Sequence, residues 1–162
     1  MGTAAAIASL RFRLAIGPGD AARSSFIVAI TNMVLFFGFF IAAMVNGKRS
    51  ETHRRLIFLA TISLLPAAIS RVTYFMAKGS GPGLRPTLGP APPVISQLVP
   101  HLVVVSVFIL AGITYDWKTR GRPHPTWLIG GSVIIGALLL RAPVGATEAW
   151  KDFAEASAHI VG

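Results

Sequence analysis

Four long apolar stretches, parted by short polar segments, dominate the chain. They are Phe26–Asn46 (FIVAITNMVLFFGFFIAAMVN), Leu56–Ala77 (LIFLATISLLPAAISRVTYFMA), Val94–Tyr115 (VISQLVPHLVVVSVFILAGITY) and Thr126–Ala142 (TWLIGGSVIIGALLLRA). A bilayer core about 30 Å thick is crossed by about 20 apolar residues in a helix, so the first three suffice and the fourth nearly does. Each is longer than the strands of about 10 residues in a membrane barrel, and none alternates apolar with polar. Hydrocarbon offers the backbone no hydrogen bonds, which favours helices that satisfy themselves. The pattern therefore predicts an all-α fold: a transmembrane four-helix bundle over residues 26–146, with spans at about 26–46, 56–77, 94–115 and 126–142. Pro66 and Pro100 fall inside the second and third spans and predict kinks.

The connections differ in character. Gly47–Arg55 (GKRSETHRR) and Asp116–Pro125 (DWKTRGRPHP) are short and basic, whereas Lys78–Pro93 (KGSGPGLRPTLGPAPP) is long and rich in Gly and Pro and predicts an irregular loop. If all four helices cross, the two basic loops share a side. The excess of Lys and Arg there predicts a cytoplasmic location, with both termini outside. Arg11, Arg13 and Arg23 in the N-terminal tail pull against that orientation. Residues 1–25 form a tail in which Met1–Ile16 resembles the last turns of a further membrane helix. In residues 147–162, Trp150, Phe153, Ala154, Ser157, Ile160 and Val161 fall near one helical face, opposite Glu148, Lys151, Asp152 and Glu155. This predicts an amphipathic helix lying in the membrane interface, or alternatively packed on a loop or partner. Gly38 with Ala42, and Ser132 with Gly136, have spacing that suits close helix packing within the chain.

Composition sharpens the class. Hydrophobic residues make up 53% and charged residues 13% of the chain, against about 25% charged in soluble domains. With no Cys, disulfides and thiolate metal sites are excluded. The net charge of +9 could suggest nucleic acid, but the bases flank apolar segments, where anionic headgroups lie. The expected partners are membrane lipids, with a quinone or another membrane subunit as further candidates, and no nucleic acid.

Ionisable groups inside a span are functional candidates because burying them in lipid is costly. At a rise of ~1.5 Å per residue, Arg71 and His101 should lie roughly 9–11 Å below the outer surface. Asn32 lies at a similar depth in the first span, and Arg141 near the outer end of the fourth. The four helices can thus offer Asn32, Arg71, His101 and Arg141 to one polar layer in the outer half, helped by Gln97, Ser70 and Thr73. That set suits an anionic or carbonyl-bearing ligand such as a lipid headgroup, a quinone, a carboxylate or a haem propionate. The plainer alternative is that both Arg residues reach up to headgroups while His101 bonds a nearby carbonyl.

A second cluster belongs to the basic loops: His53, Arg54, Arg55, Asp116, Arg120, Arg122 and His124. His53 and His124 stand at helix starts, and phosphate or anionic headgroups are the natural ligands there. Alternatively, these charges only set topology, with Asp116 paired to Lys118, Arg120 or an Arg of the first loop. No metal site is expected, since HExxH and paired carboxylates are absent and His53 and His101 lie at depths ~20 Å apart in a ~30 Å core. No catalytic residue is assigned either: GxSxG, Walker and GxGxxG motifs are missing, and no Asp or Glu falls within a span. No cofactor is identified.

HRRLIFLATISLLPAAISR (His53–Arg71) and YDWKTRGRPHP (Tyr115–Pro125) resemble a family of small, uncharacterised bacterial multi-pass membrane proteins. The likeness runs roughly from Ser25 to Phe153. It implies a bacterial inner-membrane location and places His53, Arg71, Asp116, Arg120, Arg122 and His124 in the family's recurring motifs, but carries over no reaction. The leading expectation is a non-enzymatic membrane component that binds a lipid, quinone or partner subunit through the outer polar layer. The alternatives are a redox, haem or enzymatic membrane protein using His101 and Arg71, and a transporter subunit.

Overall fold

The computed structural model describes Ile7 and residues 19–78 and 93–159, and among these every regular element is a helix. We number them α1 (Gly19–Val45), α2 (Ser50–Lys78), α3 (Val94–Arg120), α4 (Pro125–Gly145) and α5 (Glu148–His159). The expected upstream helix remnant at 1–16 and the Gly/Pro loop at 79–92 lie outside the described residues, apart from Ile7.

Three helices are long and apolar enough to cross a membrane, over Ala22–Val45, Val94–Arg120 and Pro125–Gly145. Their surface agrees with that role. Val34, Ile41, Val99, Val107, Ile129 and Leu140 are each at least half exposed, a distribution that water would penalise and lipid tails accept. The chain is a membrane protein by this measure. α2 packs between them, touching α1, α3 and α4. The core at its centre is built from Leu59, Ile62, Val105, Ile109, Trp127, Ile134 and Leu138.

The helices run further than the apolar stretches predict. The polar segment before Leu56 folds as the first turns of α2, and Asp116–Arg120 continues α3, so the joints shrink to residues 46–49 and 121–124. The backbone ladder continues wherever polar side chains can still reach water. α3 stops at Gly121, whose φ of 72° is the left-handed conformation that ends helices and favours glycine. His124 caps α4, its Nδ1 accepting from the Thr126 N–H at 3.2 Å. α2, α3 and α4 pass through Pro66, Pro100 and Pro143 as continuous helices.

Two sequence expectations about packing change. Gly38 and Gly136 face open space, and Ser132 is exposed, so that spacing mediates no contact among the described residues. Close approach occurs instead at Gly112, where any Cβ would collide with the Trp127 ring, and at Gly130 against Leu59. α5 lies on α1, with Ala154 and Ser157 buried, Phe26 and Trp150 rings 6.3 Å apart and Phe153 left exposed. The Trp150 indole N–H donates to the Arg23 carbonyl at 3.2 Å, and Arg23 meets Glu155 at 3.0 Å.

Candidate functional site

The first polar group lies toward the Val94/Gly145 end of the bundle. Asn32 from α1 and Arg141 from α4, both almost fully buried, are joined by a hydrogen bond from Arg141 Nη2 to Asn32 Oδ1. Arg141 Nε and Nη1 are buried with no hydrogen-bond partner among the described residues. His101 from α3 is equally buried, lies within electrostatic reach of Arg141, and its Nε2 stands 2.9 Å from Ser70 Oγ of α2. The same hydroxyl is 2.9 Å from Gln97 Oε1 and from the Pro66 carbonyl. One hydroxyl carries one proton, so Ser70 donates to one acceptor at a time and can accept from His101 when Nε2 is protonated. The structure thus brings Asn32, His101 and Arg141 toward one level, with Ser70 and Gln97. Arg71 follows Ser70 in α2, but its side chain lies outside the described residues. Arg141 also lines a cleft of about 300 Å³ between α1 and α4, walled by Ile27, Ile30, Val34, Leu140 and Val144.

The second group lies at the Ser50/Pro125 end and is a closed network. Arg55 grips Asp116 through Nε (2.8 Å) and Nη2 (2.6 Å), while its Nη1 donates to the Glu51 carbonyl and carboxylate, both at 2.7 Å. Arg120 pairs with the same Glu51 carboxylate at 2.5 Å. The His124 N–H lies 3.3 Å from Asp116 Oδ2. Two cations therefore hold the Glu51 carboxyl below its ordinary range, the Arg55 hydrogen bond first and the Arg120 bond second. Burial lowers the His124 ring, and the Arg55 charge adds to that. His53 stands apart, its Nδ1 2.7 Å from the Ala43 carbonyl, where it ties the start of α2 to α1. Arg54 and Arg122 are exposed. Of the seven residues expected here, four join one network and three do not. Asp116 takes the partner from the first basic segment rather than Lys118 or Arg120.

Beside this network runs a groove of about 730 Å³ between α2 and α3, closed below by the start of α4. Phe58 and Trp127 meet edge to face, centroids 5.5 Å apart, as its apolar floor. Trp127 is buried, yet its indole N–H has no acceptor among the described residues.

No protein-family model, curated protein or solved structure matches this chain. The chemistry must be read from the two sites themselves.

Sequence reasoning passed over Glu51, Phe58, Gly112 and Trp127. Glu51 had a signal, being the one carboxylate of the first basic segment and four residues before Arg55, the spacing of a helical ion pair. The Trp127 vacancy depends on which helix faces which, and no local pattern reports it. Among the described residues no group of three or more His, Asp or Glu is placed to hold a metal ion.

Proposed function

We propose that the chain is a non-enzymatic component of a bacterial inner membrane that holds a lipid or quinone through the Asn32–Arg141 layer. All four long helices cross in this reading. The Ser50/Pro125 end faces the cytoplasm and both termini lie outside. α2 supports the fourth crossing by its place among three spans and its uncharged run from Leu56 to Ser70. The two motifs that resemble small bacterial multi-pass membrane proteins support the location.

One observation carries the ligand reading: Arg141 is 3% exposed with two of its three nitrogens unpartnered among the described residues. A guanidinium offers five N–H donors and stays charged. Within a membrane bundle such a cation seeks an anion or oxygen acceptor, because leaving it alone costs several kcal/mol. The cleft beside it leads from the lipid face between α1 and α4. Its apolar walls fit an acyl or isoprenoid chain, and Arg141 lines it, so a phosphate, carboxylate or quinone oxygen that reached the buried guanidinium would pair it.

The test is native mass spectrometry of the detergent-purified full chain, with extraction of bound lipids and quinones. Wild type should carry such a ligand, and Arg141→Met and Asn32→Leu should lose it. Equal occupancy in Arg141→Met would overturn the reading. A haem or redox protein is the second reading, and it would require the His101 Nε2 contact with Ser70 to give way. A visible absorption band that disappears in His101→Ala would select it.

A further inference from the structure

The groove at the Ser50/Pro125 end is separate from the Arg141 cleft, and it has three features that belong together. Its floor is aromatic: Phe58 and Trp127 pack edge to face, and Gly112 lets the Trp127 ring lie directly on α3. A side chain at that position would fill the space the ring occupies.

Its rim is cationic in a specific way. Glu51 is taken up by Arg55 and Arg120, and Asp116 by Arg55. Arg54 is exposed, lines the groove, and makes no ion pair among the described residues. The carboxylates of the cluster are thus committed to other partners, and Arg54 is the rim cation still open to an anion.

Third, Trp127 is 6% exposed and its Nε1–H donates to nothing among the described residues. Buried indole N–H groups usually find an acceptor. Trp127 lines the same groove as Arg54, with Nε1 itself just beneath the surface of the floor.

We propose that this groove holds one anionic phospholipid, its phosphate at Arg54 and its glycerol-ester region on Phe58 and Trp127, with an oxygen accepting from Trp127 Nε1 once the ring shifts to open that buried atom to the groove. A free phosphate would satisfy Arg54 and leave the aromatic floor bare. A lipid satisfies both, and the groove sits where the apolar surface of the helices gives way to charge. A zwitterionic choline headgroup brings its own cation toward Arg54 and is disfavoured.

The experiment uses the full chain in detergent, delipidated and titrated with dioctanoyl phosphatidylglycerol, dioctanoyl phosphatidylcholine or inorganic phosphate, with adducts counted by native mass spectrometry. Phosphatidylglycerol should bind in preference to phosphatidylcholine. Arg54→Ala should weaken it about tenfold, as loss of a charge-assisted hydrogen bond does. Trp127→Phe keeps a ring on the floor and should weaken it about fivefold. Arg54 is exposed, so its removal should not disturb folding. Arg141→Met should leave this binding unchanged, which separates failure here from failure of the Arg141 reading. The proposal is overturned if either Arg54→Ala or Trp127→Phe binds like wild type, if phosphatidylcholine binds as well, or if inorganic phosphate displaces the lipid at equal concentration.

Discussion

Arg55 and Asp116, 61 positions apart in sequence, meet through two hydrogen bonds of 2.8 and 2.6 Å and pin α2 to α3. Both are buried, at 7% and 1% exposure. Removing Arg55 leaves Asp116 with only the His124 N–H, and removing Asp116 leaves Arg55 with only Glu51; breaking comparable buried pairs costs about 3–5 kcal/mol. Asp116→Ala should therefore lower the Tm in detergent sharply. The double variant Arg55→Met with Asp116→Leu should recover most of that loss. A double variant as unstable as the sum of the singles would show that the pair does not act as a unit.

The same network sets a pH dependence. Glu51 titrates below its ordinary 4.5 because Arg55 and Arg120 bond its charged form, and His124 below its ordinary 6.5 because burial disfavours its charged form. Arg55, Asp116, Arg120 and Glu51 are the charges facing His124. In both cases the unfolded chain binds more protons, so stability rises with pH. The contribution is fully present above about pH 6.5 for His124 and above about 4.5 for Glu51, and each is lost as pH falls through the lower folded value. The Tm should be flat from pH 9 to 7 and decline below that. His124→Asn keeps an N-cap acceptor and should make the decline that begins near pH 6.5 shallower.

Gly112 and Gly136 make a matched comparison. At Gly112 even one methyl group overlaps the Trp127 ring, whereas at Gly136 nothing lies within 4 Å. Gly112→Ala should cost about 1–3 kcal/mol through overpacking. Gly136→Ala should be neutral or stabilise by up to about 1 kcal/mol through helix propensity. Thermal melts of the two purified variants decide this, and equal effects would contradict the packing described.

Arg141 yields a prediction of opposite sign to most core substitutions. Among the described residues the buried guanidinium has one hydrogen-bonded nitrogen. Replacing an incompletely paired buried charge with an apolar chain of similar length is often stabilising by about 1–4 kcal/mol. Arg141→Met should raise the Tm of delipidated protein, and added lipid or quinone should raise the Tm of wild type alone.

Much of the frame was legible from one pattern, the long uncharged runs, because hydrocarbon demands them. Counting along the helices puts His101 at the height of Arg71, and Ser70, the residue before Arg71, touches His101. The helix ends were less legible. Hydropathy reports where the apolar run stops, not where backbone hydrogen bonding stops, so Glu51 and Asp116 read as loop residues although both are helical. Facing was illegible too. Gly38 and Gly136 have the right spacing for contact but point outward, and Gly112, in no such pattern, makes the tight contact.

The tie between Trp150 and the Arg23 carbonyl joins positions 127 apart. Trp150 also lines the cleft that holds Arg141. During synthesis α1 leaves the ribosome long before Trp150 does. One wall of that cleft is therefore finished only after α4 has been made and α5 has swung back onto α1. Until then that wall is missing, so α5 completes the cleft late, after the helices that form its other walls are in place.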